Sequence, residues 1–258
     1  MRLAEMLEHT AQALLDDRTD LVSGTGDELW SDAFLTRMFN EAQNLLCRRS
    51  WAIIEYGKPP AGSITLRAGV SLYPLHPSIL RVFDGTPTLQ TAPLGRTEDI
   101  NLRDTSLVTP YPADAFNAVE LGSAASLAGG SATLSGAPLA FATDAASRTL
   151  RVFPPPTSVQ EGLRVVMKVA RLPICPLSLD DTNAEPEVPA EFHEALCHYA
   201  AGRALVLPNA DSAWNAEGRR LLAEFDETVR QARQERQRAE ASSYRWNFSS
   251  STATLGVR

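Results

Sequence analysis

The feature that most constrains the fold of this chain is a pair of consecutive helical patterns in residues 186–222. Pro189 suits the first turn of a helix, where its missing N–H would have no partner in any case. Apolar residues then recur at helical spacing until Pro208-Asn209 ends the run. Asp211 or Ser212 can cap a second helix. The side chains expected on the buried face of this second helix are Trp214, Leu221, Leu222, Phe225 and Val229.

Two similar patterns lie near the N-terminus. The first covers about residues 2–16 and places its apolar side chains along one stripe. The second can be capped by Ser31 and runs to about Arg49 with a broad apolar face. Four helices that each have one apolar face are buried most simply against one another. We therefore predict a helical bundle formed by the N-terminal and C-terminal helices.

The hydrophobic period changes between the two pairs of helices. Residues 64–72 alternate apolar and polar side chains, and residues 79–83 begin a second strand pattern. Residues 150–153 and 163–170 are predicted strands on either side of a proline-rich loop. Residues 113–142 are rich in Ala, Gly and Ser, which indicates a long insertion, such as a projecting hairpin. The predicted fold class is α+β, with an antiparallel β-domain inserted into the helical bundle.

The predicted domain boundaries follow these changes of pattern. Residues 1–50 and 173–241 supply the helices of the bundle, and residues 51–172 form the β-rich domain. The last predicted helix continues beyond its apolar stripe, because residues 230–241 are good helix formers with little to bury. Arg230 and Arg233 at this end are candidates for contact with another subunit.

Residues 242–258 are predicted to form an extended docking tail. Within it, Tyr244, Trp246 and Phe248 alternate with Arg245 and Asn247. Aromatic and arginine side chains are typical of the residues that dominate binding energy at interfaces, and an extended segment can bind a groove or a sheet edge. We therefore predict that Tyr244, Arg245, Trp246 and Phe248 dock on a partner. Packing of this segment against its own domain is the alternative.

Composition excludes several classes of function. The net charge of −7 argues against a general nucleic-acid binder that relies on phosphate neutralisation. No apolar run approaches the roughly 18 residues that a membrane helix needs. Acidic residues throughout the N-terminal pattern are not typical of a secretory signal. The three cysteines are widely spaced and show no disulfide framework, which favours synthesis in a reducing cytoplasm.

One pattern suggests catalysis, as a near match to a zinc-protease motif. His193-Glu194 is followed four residues later by Cys197, where the motif has a second histidine. His198 comes one position too late and points about 100° further round the helix. A catalytic zinc normally has three protein ligands, and the sequence offers no third candidate. We predict no catalytic, cofactor or metal site; a zinc-dependent hydrolase using His193, Glu194 and Cys197 is the alternative.

Five segments in this order form a combined pattern, namely WSDAFLTRMFNEAQNLL, SLYPLHPSILRVF, RTLRVFPPP, LRVVMKVARLP and PEVPAEFHEALCHYAAGRAL. This pattern resembles the head-to-tail adaptor, or connector, proteins of tailed bacteriophages, especially those of short-tailed phages. The resemblance covers roughly residues 31–83 and 150–237, and the insertion at residues 113–142 has no counterpart in it.

The resemblance implies a structural virion protein and not an enzyme. It implies a ring, commonly of twelve copies, between the portal of the capsid and the tail tube or nozzle. A C-terminal extension would dock on the portal, and genome DNA would pass through a central channel without sequence-specific binding. An acidic chain suits such a channel, because carboxylates repel phosphates. The implied location is the capsid–tail junction, after synthesis in the cytoplasm of a host bacterium. A phage surface-binding β module is a further alternative.

Overall fold

The computed structural model describes residues 1–15, 29–83, 88–90, 99–101, 103–104, 140–144, 148–206 and 212–244. The chain divides into two compact units. Met1–Ile53 and Leu172–Arg258 form what we call the helical unit, and Ile54–Arg171 form the β unit. Helices and mainly antiparallel sheets occur together, so the predicted α+β class is confirmed.

The described part of the helical unit contains four α-helices. These are α1 (Leu3–His9), α2 (Asp32–Ser50), α3 (His193–Leu205) and α4 (Ser212–Tyr244). A π-helical segment, Thr10–Leu14, continues α1, and a short 3-10 turn, Ala190–Phe192, precedes α3. None of the described helices is long and apolar enough to cross a membrane.

The start and end of α2 have identifiable local causes. The Ser31 hydroxyl accepts a hydrogen bond from the Phe34 N–H at 3.3 Å, so the predicted N-cap is confirmed. Trp51 follows the helix with a φ of 55°, a left-handed conformation that turns the chain out of the helix. The predicted end at Arg49 is therefore correct to within one residue.

Helices α3 and α4 pack closely because a glycine of each faces the other. A Cβ atom on Gly218 would lie 2.6 Å from Val206 Cγ2 and 2.9 Å from Leu205 Cβ. A Cβ atom on Gly202 would lie 2.8 Å from Leu222 Cγ. The rest of the contact is apolar and aromatic, with the ring of Tyr199 in α3 centred 4.9 Å from that of Phe225 in α4.

A polar loop, residues 172–189, is fixed to the helices by hydrogen bonds. The Asn40 side chain in α2 both donates to the Leu177 carbonyl at 2.9 Å and accepts from the Leu177 N–H at 2.8 Å. The Glu187 carboxylate accepts hydrogen bonds from the N–H groups of Ile174 and Cys175 at 2.8 and 2.6 Å. These bonds satisfy backbone groups that no helix or sheet would satisfy.

The described part of the β unit contains short strands in three small sheets. The sheet orders are β1-β11-β4, β2-β10-β5-β6 and β3-β9-β8-β7. Most recorded pairings are antiparallel, and β7 pairs with β8 in parallel. The strands are β1 (Ile53–Tyr56), β2 (Ser63–Thr65), β3 (Leu72–Pro74), β4 (Ile79–Val82), β5 (Thr88–Gln90), β6 (Asp99–Asn101), β7 (Arg103–Asp104), β8 (Ala140–Asp144), β9 (Thr149–Phe153), β10 (Arg164–Val166) and β11 (Lys168–Arg171).

Two of the predicted strands are each divided between two sheets. Residues 64–72 contribute to β2 and β3, which lie in different sheets with a turn between them. Residues 163–170 form β10 and most of β11, and the chain changes sheet at Met167. The alternating pattern continues through both breaks because strands on either side send side chains into one shared core. That core contains Ala61, Leu66, Tyr73, Ile79, Phe141, Leu150, Val152, Val165, Met167 and Val169.

Two other predictions concern segments that are described only in part. Most of the Ala/Gly-rich insertion, residues 113–139, lies outside the described residues, and residues 140–142 belong to β8. Helix α4 runs to Tyr244, three residues into the segment that we predicted to be an extended tail. That boundary was wrong, because the helical backbone continues through residues 242–244.

Candidate assembly interface

The most prominent candidate for contact with another molecule is the distal part of α4. The helix has 33 residues and is therefore about 50 Å long. The first part of the helix packs against the rest of the helical unit through the buried side chains of Leu221, Phe225, Val229 and Ala232. Between Arg233 and Glu240 no side chain is buried. We call residues 233–244 the distal arm. The sequence prediction of a helix that continues beyond its apolar stripe is correct.

The two predicted arginines of α4 differ in their surroundings. Arg230 donates to Glu227 through Nη2 at 2.7 Å and Nε at 2.9 Å, and both side chains are largely exposed. The Arg230 guanidinium lowers the pKa of the Glu227 carboxyl. A partner that binds Arg230 must therefore compete with Glu227 or bind both. Arg233 is exposed and has no ion-pair partner among the described residues.

A small cavity lies where the distal arm begins. Its volume is about 250 Å³, and its walls combine Phe192 with the exposed carboxylates of Glu191 and Glu235. Arg236 contributes to the same wall, and its Nη2 donates to the Ala52 carbonyl at 3.4 Å. An engineered cavity of roughly 150 Å³ is known to hold a benzene ring, so this one has room for an aromatic side chain. No pattern in the sequence indicated this cavity, because its walls come from three separate segments.

The predicted tail residues are only partly placed by the structure. Tyr244 is the last residue of α4, so it belongs to the same helix as Arg230 and Arg233. Arg245, Trp246 and Phe248 lie outside the described residues. Their assignment as docking residues stays a prediction.

A half-exposed tryptophan, Trp214, lies at the other end of α4 and packs against the buried Trp30. Trp214 was predicted on the buried face, but its side chain is 45% exposed. Its ring centroid is 5.9 Å from that of Trp30, and the neighbouring Leu29 is 67% exposed. The physical reason is length: α3 ends at Leu205, beside Gly218, so the first turn of α4 extends beyond its partner helix. Comparison of the two predicted helix lengths could have revealed this.

The residues of the alternative zinc site do not form a site. His193 is only 3% exposed; its Nε2 is 3.0 Å from the Val188 carbonyl and its Nδ1 is 2.7 Å from the Met1 nitrogen. Cys197 is buried, and burial raises the pKa of its thiol to about 11, which disfavours the thiolate that zinc binds. The Glu194 side chain, in contrast, is 72% exposed. Among the described residues, no group of three or more His, Cys, Asp or Glu could hold a metal ion.

Comparison with known proteins identifies the family. The family model for the SU10 adaptor protein matches residues 1–249. No curated protein matches the chain. Because the family match covers almost the whole sequence, including residues 113–142, this chain belongs to the SU10 adaptor protein family. The resemblance to phage head-to-tail adaptors is thereby confirmed. Membership supports a structural role in the virion and implies contacts with other virion components such as the portal and the tail.

Proposed function

We propose that this chain forms a ring, commonly twelvefold in such adaptors, that joins the portal to the tail tube or nozzle and lines the DNA channel. The observation that carries the proposal is the family match over residues 1–249. A closed ring of identical copies needs a heterologous interface, in which two different surfaces of one chain complement each other. The helical unit offers two different surfaces, namely the distal arm of α4 and the half-exposed Trp214 together with Leu29, which is 67% exposed.

The distribution of charge favours the helical unit as the wall of the channel. This unit contains 14 Lys and Arg against 22 Asp and Glu, a net charge of −8. The β unit contains 10 basic and 9 acidic residues, a net charge of +1. A negative wall repels phosphates and lets DNA slide without holding it. We therefore assign the lining of the channel to the helical unit.

We further propose that the C-terminal tail attaches the ring to the portal or to a neighbouring subunit. Residues 242–258 contain Arg245 and Arg258 and no acidic residue, so their net charge is +2, whereas residues 1–241 carry −9. In this proposal Tyr244, Trp246 and Phe248 supply the apolar contact. Arg230 and Arg233 provide positive charge on the preceding turns of α4.

A tail deletion tests attachment. A chain that lacks residues 242–258 is compared with a matched control that lacks only residues 252–258 and keeps every aromatic residue of the tail. Both are checked for helix content by circular dichroism and added to portal-bearing capsids that lack the adaptor. We expect the control to attach and the longer deletion to remain folded but unattached. Normal attachment of the longer deletion would refute the role of the tail.

Cryo-electron microscopy of the particle tests the ring itself. We expect a ring of this chain at the portal vertex, with the acidic helical units nearest to the DNA. A location elsewhere in the particle, or a subunit that does not surround the channel, would contradict the proposed function. A ring with another number of copies would reject only the twelvefold copy number.

A further inference from the structure

Strands β2 and β3 of the β unit follow each other along the chain but do not pair with each other. Among the described strands β2 pairs only with β10, and β3 pairs only with β9, so each is an edge strand of a different sheet. A groove of about 650 Å³ is lined by both strands. Two sheet edges therefore border one open space.

The register of β2 shows which of its backbone groups point into that space. Leu66 N–H donates to the Leu163 carbonyl, and Met167 N–H donates to the Gly62 carbonyl, each at 2.8 Å. The backbone N–H and C=O groups of the even-numbered residues in this segment therefore point toward β10. Because facing alternates along an antiparallel strand, the N–H and C=O groups of Ser63 and Thr65 point away from β10. These groups have no hydrogen-bond partner among the described residues.

The register of β3 gives the same result. Val152 N–H donates to the Ser71 carbonyl at 2.8 Å, and Leu75 N–H donates to the Arg148 carbonyl at 2.9 Å. Leu72 and Pro74 therefore point their backbone groups away from β9. Pro74 has no N–H to offer, as is usual for a proline on an edge strand. The outward groups of β3 are one N–H and two carbonyls.

The groove is preformed by the turn between the two strands. The Tyr73 hydroxyl accepts from the Arg67 N–H at 3.0 Å and lies 2.8 Å from the Val70 carbonyl, to which it donates. The Tyr73 side chain in β3 thus holds the turn that follows β2. Val70 and Leu72 line the groove and are 37% and 54% exposed. An incoming strand would find both backbone partners and an apolar surface.

We propose that this groove binds the C-terminal tail of a second copy of the chain as an added β-strand between β2 and β3. The bound segment begins at about Arg245 and includes Trp246 and Phe248. One inserted strand would join the two four-stranded sheets through backbone hydrogen bonds, the mode known as β-augmentation. The choice of a second copy, rather than the same chain, rests on the ring proposed above.

Three properties of the tail fit this groove. Aromatic and polar side chains alternate at Trp246, Asn247 and Phe248, which is the period of a strand. Residues 242–258 contain no proline, so every backbone N–H can donate. The 14 residues that follow α4 can span about 46 Å when extended, several times the length of β2 or β3, which have three residues each.

A peptide-binding experiment tests the groove. The acceptor is the chain without residues 245–258, and the probe is a fluorescent peptide of residues 242–258. We expect saturable binding with one peptide per chain. Thr65→Pro removes an outward N–H without breaking the ladder to β10, and we expect it to weaken binding about tenfold. Thr65→Ala keeps that N–H and is the matched control, with affinity close to that of the unsubstituted acceptor.

Failure of the peptide to bind, or equal affinity for the Thr65→Pro and Thr65→Ala acceptors, would overturn the proposal. The peptide with both Trp246→Ala and Phe248→Ala should bind more weakly than one with Ser250→Ala. If the tail is needed for attachment to capsids but does not bind the groove, the proposed function stands and the groove is not the receptor.

Disulfide trapping in the full chain distinguishes a second copy from the same chain. In a Cys175→Ser background, copies with Leu72→Cys are mixed with copies with Ser249→Cys and oxidised in assembled rings. We expect covalent dimers, and none when Val159→Cys, an exposed position of the same unit outside the groove, replaces Leu72→Cys. Absence of dimers, or an internal disulfide in a chain that carries both Leu72→Cys and Ser249→Cys, would overturn the assignment to a second copy.

Discussion

The helical unit and the β unit of this chain bury their cores in different ways. In the helical unit each helix contributes a continuous apolar stripe, such as Leu221, Phe225 and Val229 of α4, to one neighbouring surface. In the β unit no described strand is longer than five residues, and two apolar runs are each divided between two sheets. Burial in the first unit follows from the local helical period. In the second it depends on which strands pair, and local sequence does not specify that.

The largest expected effect tests whether the helical unit and the β unit unfold independently of each other. Phe225→Ala removes a fully buried ring that contacts Tyr199, and we expect it to destabilise the helical unit by about 3–5 kcal/mol. Hydrogen exchange should then show faster exchange for amides of α3 and α4 and little change for Val165 in the β unit. Arg233→Ala, at an exposed position of the same helix, is the control. Equal loss of protection in both units would show that they unfold together.

The next effect tests the close packing that distinguishes the helical unit. Gly218→Ala places a methyl group against Leu205 and Val206, and we expect a loss of about 1–3 kcal/mol despite the better helix propensity of alanine. Thermal denaturation measures the change. Adding Val206→Ala removes one of the clashing atoms and should restore part of the stability. A stabilised Gly218→Ala variant would mean that α3 and α4 separate readily.

A smaller effect is expected for the turn that separates the two edge strands of the β unit. Tyr73→Phe removes the hydroxyl that bonds Arg67 and Val70, and we expect a loss of about 1–2 kcal/mol. Chemical denaturation measures the loss of stability of the whole chain. Hydrogen exchange of the Leu66 and Val152 amides measures the loss near the turn. If the turn is determined by the flanking strands alone, the variant will be as stable as the parent chain.

The smallest effect is a pH dependence confined to the helical unit. Burial lowers the pKa of His193 in the folded chain, whereas an unfolded histidine titrates near its ordinary value of about 6.5. The unfolded state therefore binds more protons once the pH falls through about 6.5, and stability decreases from there down to the folded pKa. Denaturation midpoints at pH 7.5 and 5.5 should differ less in His193→Gln than in the parent chain. An identical pH dependence would show that other groups cause it.

The sequence predicted the helical elements well because each carried its own signal. Ser31 began α2 as a hydroxyl cap, and the helix ended within one residue of the predicted Arg49. The polar residues after Val229 correctly indicated that α4 would extend beyond its core. Trp214 was misassigned because helical spacing gives the face of a residue but not the length of the helix opposite. Its exposure was decided by the end of α3 at Leu205.

The candidate surfaces were less predictable than the elements that carry them. Arg230 and Arg233 could be named from the sequence, but the salt bridge to Glu227 that occupies Arg230 depends on side-chain geometry. The 250 Å³ cavity is lined by residues that are distant in sequence. The groove lies along β2 and β3, which pair with other strands and not with each other. The alternating pattern of residues 64–72 predicted one continuous strand. The groove between β2 and β3 could therefore not be predicted from it.

The sequence by itself determined the α+β class, the order of the helices, and the amphipathic faces of the helices. These depend on the chemical period of neighbouring residues, which the backbone geometry of a helix or strand converts directly into a face. The tertiary structure decided which strands are edges, where Met167 changes sheet, and that His193 is buried as a neutral packing residue. Those outcomes depend on contacts between residues far apart in the chain, and only the folded arrangement specifies them.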